Sequence, residues 1–455
     1  MGLMQPVDAM FLIGESREHP MHVGGLQLFE LPPGAGPDHV SNLYQELLGF
    51  TDLRPLMRSR PATPVSSLGQ IAWADDAAVD LEYHVRLSAL PRPGRVRELL
   101  ELTSRMHGTL LDRHRPLWEF HLIEGLQDGR FATYMKVHHA LVDGVSATRM
   151  LIKSLSETPD GPVVPLWAKL PESTGANGSG ASIDPLGMIR SAVGAVGDIA
   201  GTLPVLAKLA VGTLRSQSDA LPVPAPRTIL NGPITGARRF AAQPWPIDRL
   251  KAAGAAAGAT LNDVVLAMCA GALRRYLEEQ GALPDKPLVA AVPVSLRAAG
   301  STAAGGNEVG IVLCSLATDI ADPHDRLQEI RASMNRAKAV MAGQTPLQIQ
   351  AMTGMLLGLP TMLNMVPGLA GVVSMFNLII SNVPGSRTPL YWNGAKLQGT
   401  YPVSIPFEGQ ALNITVTSYN GAMQFGLTGC RRNVPHLQRM LTHLEDSLAE
   451  LDPRG

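Results

Sequence analysis

The sequence predicts two domains of mixed α/β composition, with both helices and strands, and three observations lead to this expectation. The chain has 455 residues, well beyond the length at which one hydrophobic core stops growing. Short apolar runs typical of strands occur beside helically spaced apolar positions in both halves. A stretch rich in Pro, Gly and Ser separates the halves. We therefore expect an N-terminal domain over residues 1–160, a linker with a helical segment over 161–226 and a C-terminal domain over 227–455.

The composition is that of a well-packed protein with balanced charge. Hydrophobic residues make up 45% and charged residues 17% of the chain. The 38 Lys+Arg against 39 Asp+Glu argue against a broad nucleic-acid-binding surface. The N-terminus lacks the basic region of a signal peptide, which favours a cytoplasmic location. Three cysteines lack metal-ligand spacing and are expected to be reduced and buried: Cys269, Cys314 and Cys430.

In the first domain, residues 118–123 and 131–137 are apolar-rich runs that predict two strands. The loop between them contains Asp128-Gly129, a pair typical of hairpin turns, so the strands should be antiparallel. Helical spacing of apolar residues starts after Gly144. The intervening residues therefore connect the end of a strand to the start of a helix.

In the linker, residues 186–215 look helical but carry too many charges for a membrane span. The second domain should begin with a helix over residues 247–258. A further helix is predicted from Thr260, because Thr260 and Asp263 form a capping signal before an apolar run. Two later runs are predicted as strands, residues 309–318 and 411–418.

Two adjacent histidines, His138 and His139, end the second predicted strand, and Asp143 and Gly144 follow them. A histidine with a pKa near about 6.5 can take a proton from a hydroxyl at neutral pH. Asp143 can hold the turn through a bond to the backbone or a buried ion pair. Gly144 would permit a conformation or a close approach that a Cβ blocks. The pattern therefore favours proton transfer at a rigidly placed imidazole.

Two other interpretations of the histidine pair remain at this point. Adjacent histidines on a strand point in opposite directions, which disfavours a metal site made by both, and no metal is expected. The pair could also be two ordinary core or surface histidines. Residue types alone do not exclude that interpretation.

The segment His138-His139-x-x-x-Asp143-Gly144 after a strand resembles the signature of the CoA-dependent acyltransferase superfamily, which includes chloramphenicol acetyltransferases and condensation domains. Other segments, in the same order along nearly the whole chain, resemble the bacterial wax ester synthase/acyl-CoA:diacylglycerol acyltransferase family. They are Pro6-Val7-Asp8, Phe11-Leu12, Pro20-Met21-His22-Val23-Gly24-Gly25, Arg115-Pro116-Leu117-Trp118-Glu119, Leu261-Asn262-Asp263-Val264-Val265-Leu266-Ala267, Pro293-Val294-Ser295-Leu296-Arg297, Ser381-Asn382-Val383-Pro384-Gly385, Ala411-Leu412-Asn413-Ile414 and Ser418-Tyr419-Asn420-Gly421.

The resemblance implies two chloramphenicol-acetyltransferase-like domains, each a mixed sheet flanked by helices, with the active site in the channel between them. It implies an O-acyltransferase that moves a fatty acyl group from acyl-CoA to a long-chain alcohol, a diacylglycerol or both. His139 would be the general base, without a covalent acyl-enzyme, and the sequence has no G-x-S-x-G nucleophile motif. Acyl-CoA is then a substrate, and no cofactor is expected.

The resemblance also suggests roles for residues around His139. Asp143 would be a structural partner paired with Arg297, and His138 would support the strand end. Asn262 is a candidate donor to the reaction's oxyanion, although a polar residue in the first turn of a helix can be purely structural. Asn382 has the same two interpretations. Three residues either line the substrate pocket or pack beneath the active-site strand: Pro116, Leu117 and Trp118.

Residues 339–386 contain no Asp, Glu, Lys or Arg. Pro360, Asn364 and Pro367 interrupt this run and argue against a full membrane span. Three interpretations stay open: buried core helices, a lining for a long acyl chain, and a face that contacts a membrane or lipid droplet. Partners are therefore acyl-CoA, the acyl acceptor and a peripheral lipid surface, without nucleic acid.

Two alternatives to this enzyme are a non-catalytic lipid-binding protein and a condensation-domain-like enzyme of the same fold. An intact His139, Asp143 and Gly144 set argues against the first, because an idle site has no need of it. The second would act on carrier-bound substrates, and this chain contains no attached carrier module.

Overall fold

The computed structural model describes residues 2–4, 6–63, 71–169, 225–295, 309–342, 344, 349, 353 and 374–452. Most of the predicted linker lies outside the described residues, as does Arg297. Most of the uncharged segment 339–386 also lies outside them, so its three interpretations stay open.

Strands and short helices alternate in the first half of the chain. The strands are β1 (Gly2–Leu3), β2 (His22–Glu30), β3 (Ser59–Ala62), β4 (Ala72–Asp75), β5 (Val85–Ala89), β6 (Trp118–Glu124) and β7 (Phe131–His138). The helices are α1 (Pro6–Gly14), α2 (His39–Leu48), α3 (Leu81–His84), α4 (Val96–His107) and α5 (Gly144–Lys153).

The second half has longer helices and a further set of strands. The strands are β8 (Arg238–Pro246), β9 (Val289–Ser295), β10 (Val309–Ser315), β11 (Leu378–Val383), β12 (Tyr391–Trp392), β13 (Ala395–Val403), β14 (Leu412–Tyr419) and β15 (Ala422–Cys430). The helices are α6 (Ile247–Ala257), α7 (Leu261–Glu279), α8 (Pro323–Ala342) and α9 (Arg439–Leu451).

Two six-stranded mixed sheets organise these elements, as expected for the predicted fold class. The first has the order β12-β13-β2-β7-β6-β5 and the second β10-β9-β11-β14-β15-β8. In the first sheet β5 and β6 are parallel, and in the second β11 is parallel to both β9 and β14. A third, small sheet has the order β1-β4-β3.

Strands β12 and β13 come from the second half of the chain but belong to the first sheet. Strand β13 pairs antiparallel with β2, from Lys396 opposite Glu30 to Val403 opposite Gly24. The sheet therefore includes residues of the predicted 227–455 domain. The boundaries of the three predicted segments remain predictions.

Several local predictions are confirmed. Strands β6 and β7 form the expected antiparallel pair, and Gly129 in their loop has a φ of 76°. Thr260 caps α7: its hydroxyl accepts from the amide of Asp263 at 3.3 Å, and its own hydroxyl donates to that carboxylate at 2.7 Å. Helix α6 ends at Gly258, whose φ of 63° only glycine adopts readily.

Helix α7 packs against helices α8 and α9, and its buried side chains share the larger hydrophobic core with strands of the second sheet. All three cysteines are buried free thiols, as predicted. Within the described part of the chain, no single helix is long and apolar enough to cross a membrane; only α6 and α7 taken together reach that length and composition, with a bend of 97° between them.

Candidate active site

The end of β7 and the start of β2 place the two histidines. His138 is opposite His22 in the β2–β7 register. The amide of His138 donates to the carbonyl of Leu117 at 3.0 Å, and the amide of His139 donates to the carbonyl of Met21 at 2.9 Å. Backbone hydrogen bonds to neighbouring segments therefore hold both histidines in place.

His138 is fully buried, and its ring contacts fix its tautomer. Its Nδ1 accepts a hydrogen bond from the amide of Ala140 at 3.1 Å, so a neutral ring carries its proton on Nε2. That Nε2 lies 3.4 Å from Oε1 of Glu15, whose side chain is only 1% exposed. The His138 side chain therefore points into the protein, and its role in supporting the strand end remains a prediction.

His139 is half-buried, and its ring stacks on Phe11 with 4.2 Å between ring centroids. Burial lowers the pKa of His139 to about 4, although the negative charge of Asp143 acts in the opposite direction. The imidazole is therefore neutral at neutral pH and can accept a proton. Its Nδ1 is buried and has no hydrogen-bond partner among the described residues.

Asp143 is the N-cap of α5. Its Oδ1 accepts from the amides of Val145 and Ser146, both at 2.9 Å, and its Oδ2 accepts from the Ser146 hydroxyl at 2.8 Å. These bonds tie the carboxylate to the start of the helix, which agrees with a structural role. The predicted partner, Arg297, lies outside the described residues, so that pairing remains a prediction.

The steric argument for Gly144 is wrong. Gly144 has no positive φ, and a Cβ built on it would lie 3.9 Å from Cγ1 of Val23, an ordinary contact. Neither the backbone conformation nor the described packing therefore requires glycine at this position.

The two candidate asparagines lie together. Asn262 is in the first turn of α7 and Asn382 is near the end of β11, and the Asn382 amide donates to Oδ1 of Asn262 at 3.4 Å. Within the described residues, neither asparagine forms a hydrogen bond with the His139 loop. The structure thus forms two clusters, one around His139 and one around Asn262.

Pro116, Leu117 and Trp118 are buried, with Leu117 and Trp118 fully so. The indole of Trp118 donates to the carbonyl of Met57 at 2.9 Å and stacks on Trp167. These contacts favour packing beneath the active-site strand over a pocket wall. A cavity of about 260 Å³ lies elsewhere, beside Arg227, Asn231 and Glu408.

Sequence reasoning missed Glu15 and Arg113 and assigned no role to Phe11. The Glu15 carboxylate contacts Arg113, which is 98 positions away, and no local spacing could connect them. One weak signal was present, since Glu15 is an acidic residue at the end of the apolar run 9–13.

Comparisons with known proteins match most of the chain to one family. A model described as the wax ester synthase/diacylglycerol acyltransferase catalytic domain matches residues 4–265, and the family's C-terminal domain matches residues 305–452. A putative diacylglycerol O-acyltransferase of Mycobacterium tuberculosis is 53% identical, over 99% of both chains.

Solved structures show the same relationship. The wax ester synthase/diacylglycerol acyltransferase from Marinobacter aquaeolei VT8 superposes with a TM-score of 0.81 at 46% identity, covering 100% of this chain and 99% of that one. The first condensation domain of the calcium-dependent antibiotic synthetase reaches 0.57 at 16% identity, covering 99% and 95%, and shares the fold alone. This chain therefore belongs to the wax ester synthase/diacylglycerol acyltransferase family and is an acyl-CoA-dependent O-acyltransferase.

Proposed function

We propose that the enzyme moves a fatty acyl group from acyl-CoA to the hydroxyl of a diacylglycerol, a long-chain alcohol or both, and that His139 is the general base that takes the hydroxyl proton. The observation that carries this assignment is the half-buried imidazole at the end of β7, stacked on Phe11 and followed by a helix-capping aspartate; burial lowers its pKa, which keeps it neutral at neutral pH. The diacylglycerol in the printed name of the Mycobacterium tuberculosis relative supports that acceptor.

The proposed reaction proceeds by direct transfer. Because Nδ1 of His139 is buried, Nε2 takes the proton of the acceptor hydroxyl as its oxygen attacks the thioester carbonyl. The C–S bond then breaks, and the imidazolium returns the proton to the departing thiolate. The products are the ester and free CoA, so no cofactor takes part.

Asn262 is the proposed donor to the oxyanion of the tetrahedral intermediate. Its Oδ1 is occupied by Asn382, which leaves its Nδ2 as the donating group. Removal of one such donor typically costs about 3–4 kcal/mol of transition-state stabilisation.

The acceptors are water-insoluble, and we propose that the enzyme meets them at a membrane or lipid-droplet surface. Flotation of the purified protein with phosphatidylcholine vesicles that contain dioleoylglycerol tests this idea. Recovery of all the protein in the vesicle-free fraction would contradict it.

A substrate panel tests the function. CoA release from palmitoyl-CoA is measured with hexadecanol, with dioleoylglycerol and without acceptor, for the parent, His139→Ala and His443→Ala. The control His443 is a buried histidine on α9, in the second half of the chain. We expect acceptor-dependent release by the parent and the control, and none by His139→Ala. A folded His139→Ala protein that retains turnover would exclude the general-base assignment.

A further inference from the structure

Glu15 is a buried carboxylate with contacts on both of its oxygens. Its Oε2 accepts from Nε and Nη2 of Arg113 at 3.2 and 3.1 Å. Its Oε1 accepts from the amide of Met21 at 3.1 Å and lies 3.4 Å from Nε2 of His138. One side chain thus connects α1, the start of β2 and the end of β7.

These contacts reach His139 by two routes. The Met21 residue whose amide binds Glu15 also accepts the amide hydrogen bond of His139 through its carbonyl. Arg113 donates in addition to the carbonyl of Leu12 at 2.6 Å, and the preceding residue, Phe11, stacks on the His139 ring. The position of the proposed base therefore depends on segments that Glu15 and Arg113 hold together.

The charge of Glu15 fits this arrangement. Burial would raise its pKa, but the contacts with His138, Met21 and Arg113 outweigh burial and hold the pKa below its usual value. Glu15 is then ionised at neutral pH and can accept the Nε2 proton that the Ala140 contact assigns to His138. Arg113 is half-exposed and supplies the compensating charge.

We propose that Glu15, paired with Arg113, is a positioning residue for the acyl transfer: its charge favours the His138 tautomer that the Ala140 contact sets, and it holds the Met21 backbone that binds the amide of His139. This inference rests on the proposed role of His139. Glu15 itself does not touch the reacting atoms.

Glu15→Gln keeps the shape of the side chain but removes the charge. We expect kcat to fall about 10- to 100-fold, with the KM for palmitoyl-CoA and for the acceptor within about threefold of the parent, because misplacement affects chemistry more than binding. Arg113→Lys, which keeps the charge but loses the planar double contact, should show a smaller fall in kcat with the same pattern.

Glu119→Gln is the matched control for loss of a buried charge. Glu119 is similarly buried, on β6, and its carboxylate lies 3.1 Å from Nζ of Lys136. Melting curves and kcat are measured for both glutamine variants. A larger kcat loss in Glu15→Gln at equal melting temperature supports positioning. Equal kcat in the two variants, or a parent-like kcat in Glu15→Gln, would show an ordinary core ion pair and overturn the proposal.

His139→Ala in the same assay separates the two proposals. If His139→Ala stays active, the base assignment fails whatever Glu15 does. If His139→Ala is inactive while Glu15→Gln is fully active, only the positioning role of Glu15 fails.

Discussion

The side-chain amide of Asn382 donates a hydrogen bond to Oδ1 of Asn262 across 3.4 Å, although the two residues are 120 positions apart in the chain. The bond joins the end of a central strand of the second sheet to the first turn of a buried helix. Because the carbonyl oxygen of Asn262 is the acceptor, its side chain donates through the two N–H groups of Nδ2, which have no hydrogen-bond partner within the described part of the chain.

Asn262→Ala is expected to lower kcat about 100- to 1000-fold while the KM for palmitoyl-CoA changes little, as for the loss of one oxyanion donor. Thr260→Ala is the control, because it removes the cap of the same helix and should cost about 0.5–2 kcal/mol of stability. If Thr260→Ala lowers kcat equally, Asn262 acts only through the helix start. Steady-state kinetics and denaturant titrations decide between the two.

The pKa of His139 should appear in the pH dependence of kcat/KM. A base must be neutral to act, so kcat/KM should fall on acidification only near pH 4, the folded pKa of His139, rather than near 6.5. Phe11→Ala exposes the ring to water and should move this acid limb to higher pH. An acid limb that stays in place in Phe11→Ala would show that stacking does not set the pKa.

The helix-capping role of Asp143 can be tested separately from the effect of its negative charge. Asn is as good an N-cap as Asp, so Asp143→Asn should keep its unfolding free energy within about 0.5 kcal/mol of the parent, whereas Asp143→Ala should lose about 0.5–2 kcal/mol. Because only Asp143→Asn keeps the cap, this variant should retain more activity than Asp143→Ala. If Asp143→Ala is as stable as the parent but inactive, Asp143 has a direct chemical role.

His107 links the two halves and stays neutral because it is buried. Its Nδ1 accepts from the Tyr134 hydroxyl at 2.8 Å, and its Nε2 donates to the carbonyl of Ser404 at 2.9 Å. Burial lowers the pKa of His107 to about 3. Between pH 6.5 and that value only the unfolded chain binds the proton, so the free energy of unfolding falls as the pH falls.

His107→Gln should reduce the loss of unfolding free energy between pH 7 and pH 5 by roughly 2 kcal/mol, because glutamine offers one acceptor and one donor but does not titrate. Denaturant titrations at pH 7, 6 and 5 measure this slope. An unchanged slope would mean that His107 is already protonated in the folded protein at pH 5.

Features that depend on residues close together in the sequence could be predicted from it. The hairpin before His138 and the Thr260 cap each depend on residues a few positions apart, and both were predicted from the sequence. The fold class and family came from the resemblance of many short segments. The Glu15–Arg113 pair, by contrast, needed tertiary structure, because its members share no local pattern.

The Gly144 expectation shows a different limit. A glycine in a motif suggests a backbone that only glycine adopts, but this one begins an ordinary helix with room for a Cβ. The sequence could not separate a steric need of the folded chain from other reasons for a small residue. Arg297 illustrates the same limit, since its pairing with Asp143 still rests on resemblance.

One edge of β2 stays unpaired until late in synthesis, because its partner β13 lies far along the chain. Strand β2 neighbours the strand that carries His138, yet its other edge is covered only when residues 395–403 leave the ribosome. At about 5–20 residues per second, this delay is on the order of tens of seconds. During it, a long and mostly apolar strand edge is open to other nascent chains. A fragment that ends before β13 keeps that edge permanently, so the two halves should be produced as one polypeptide.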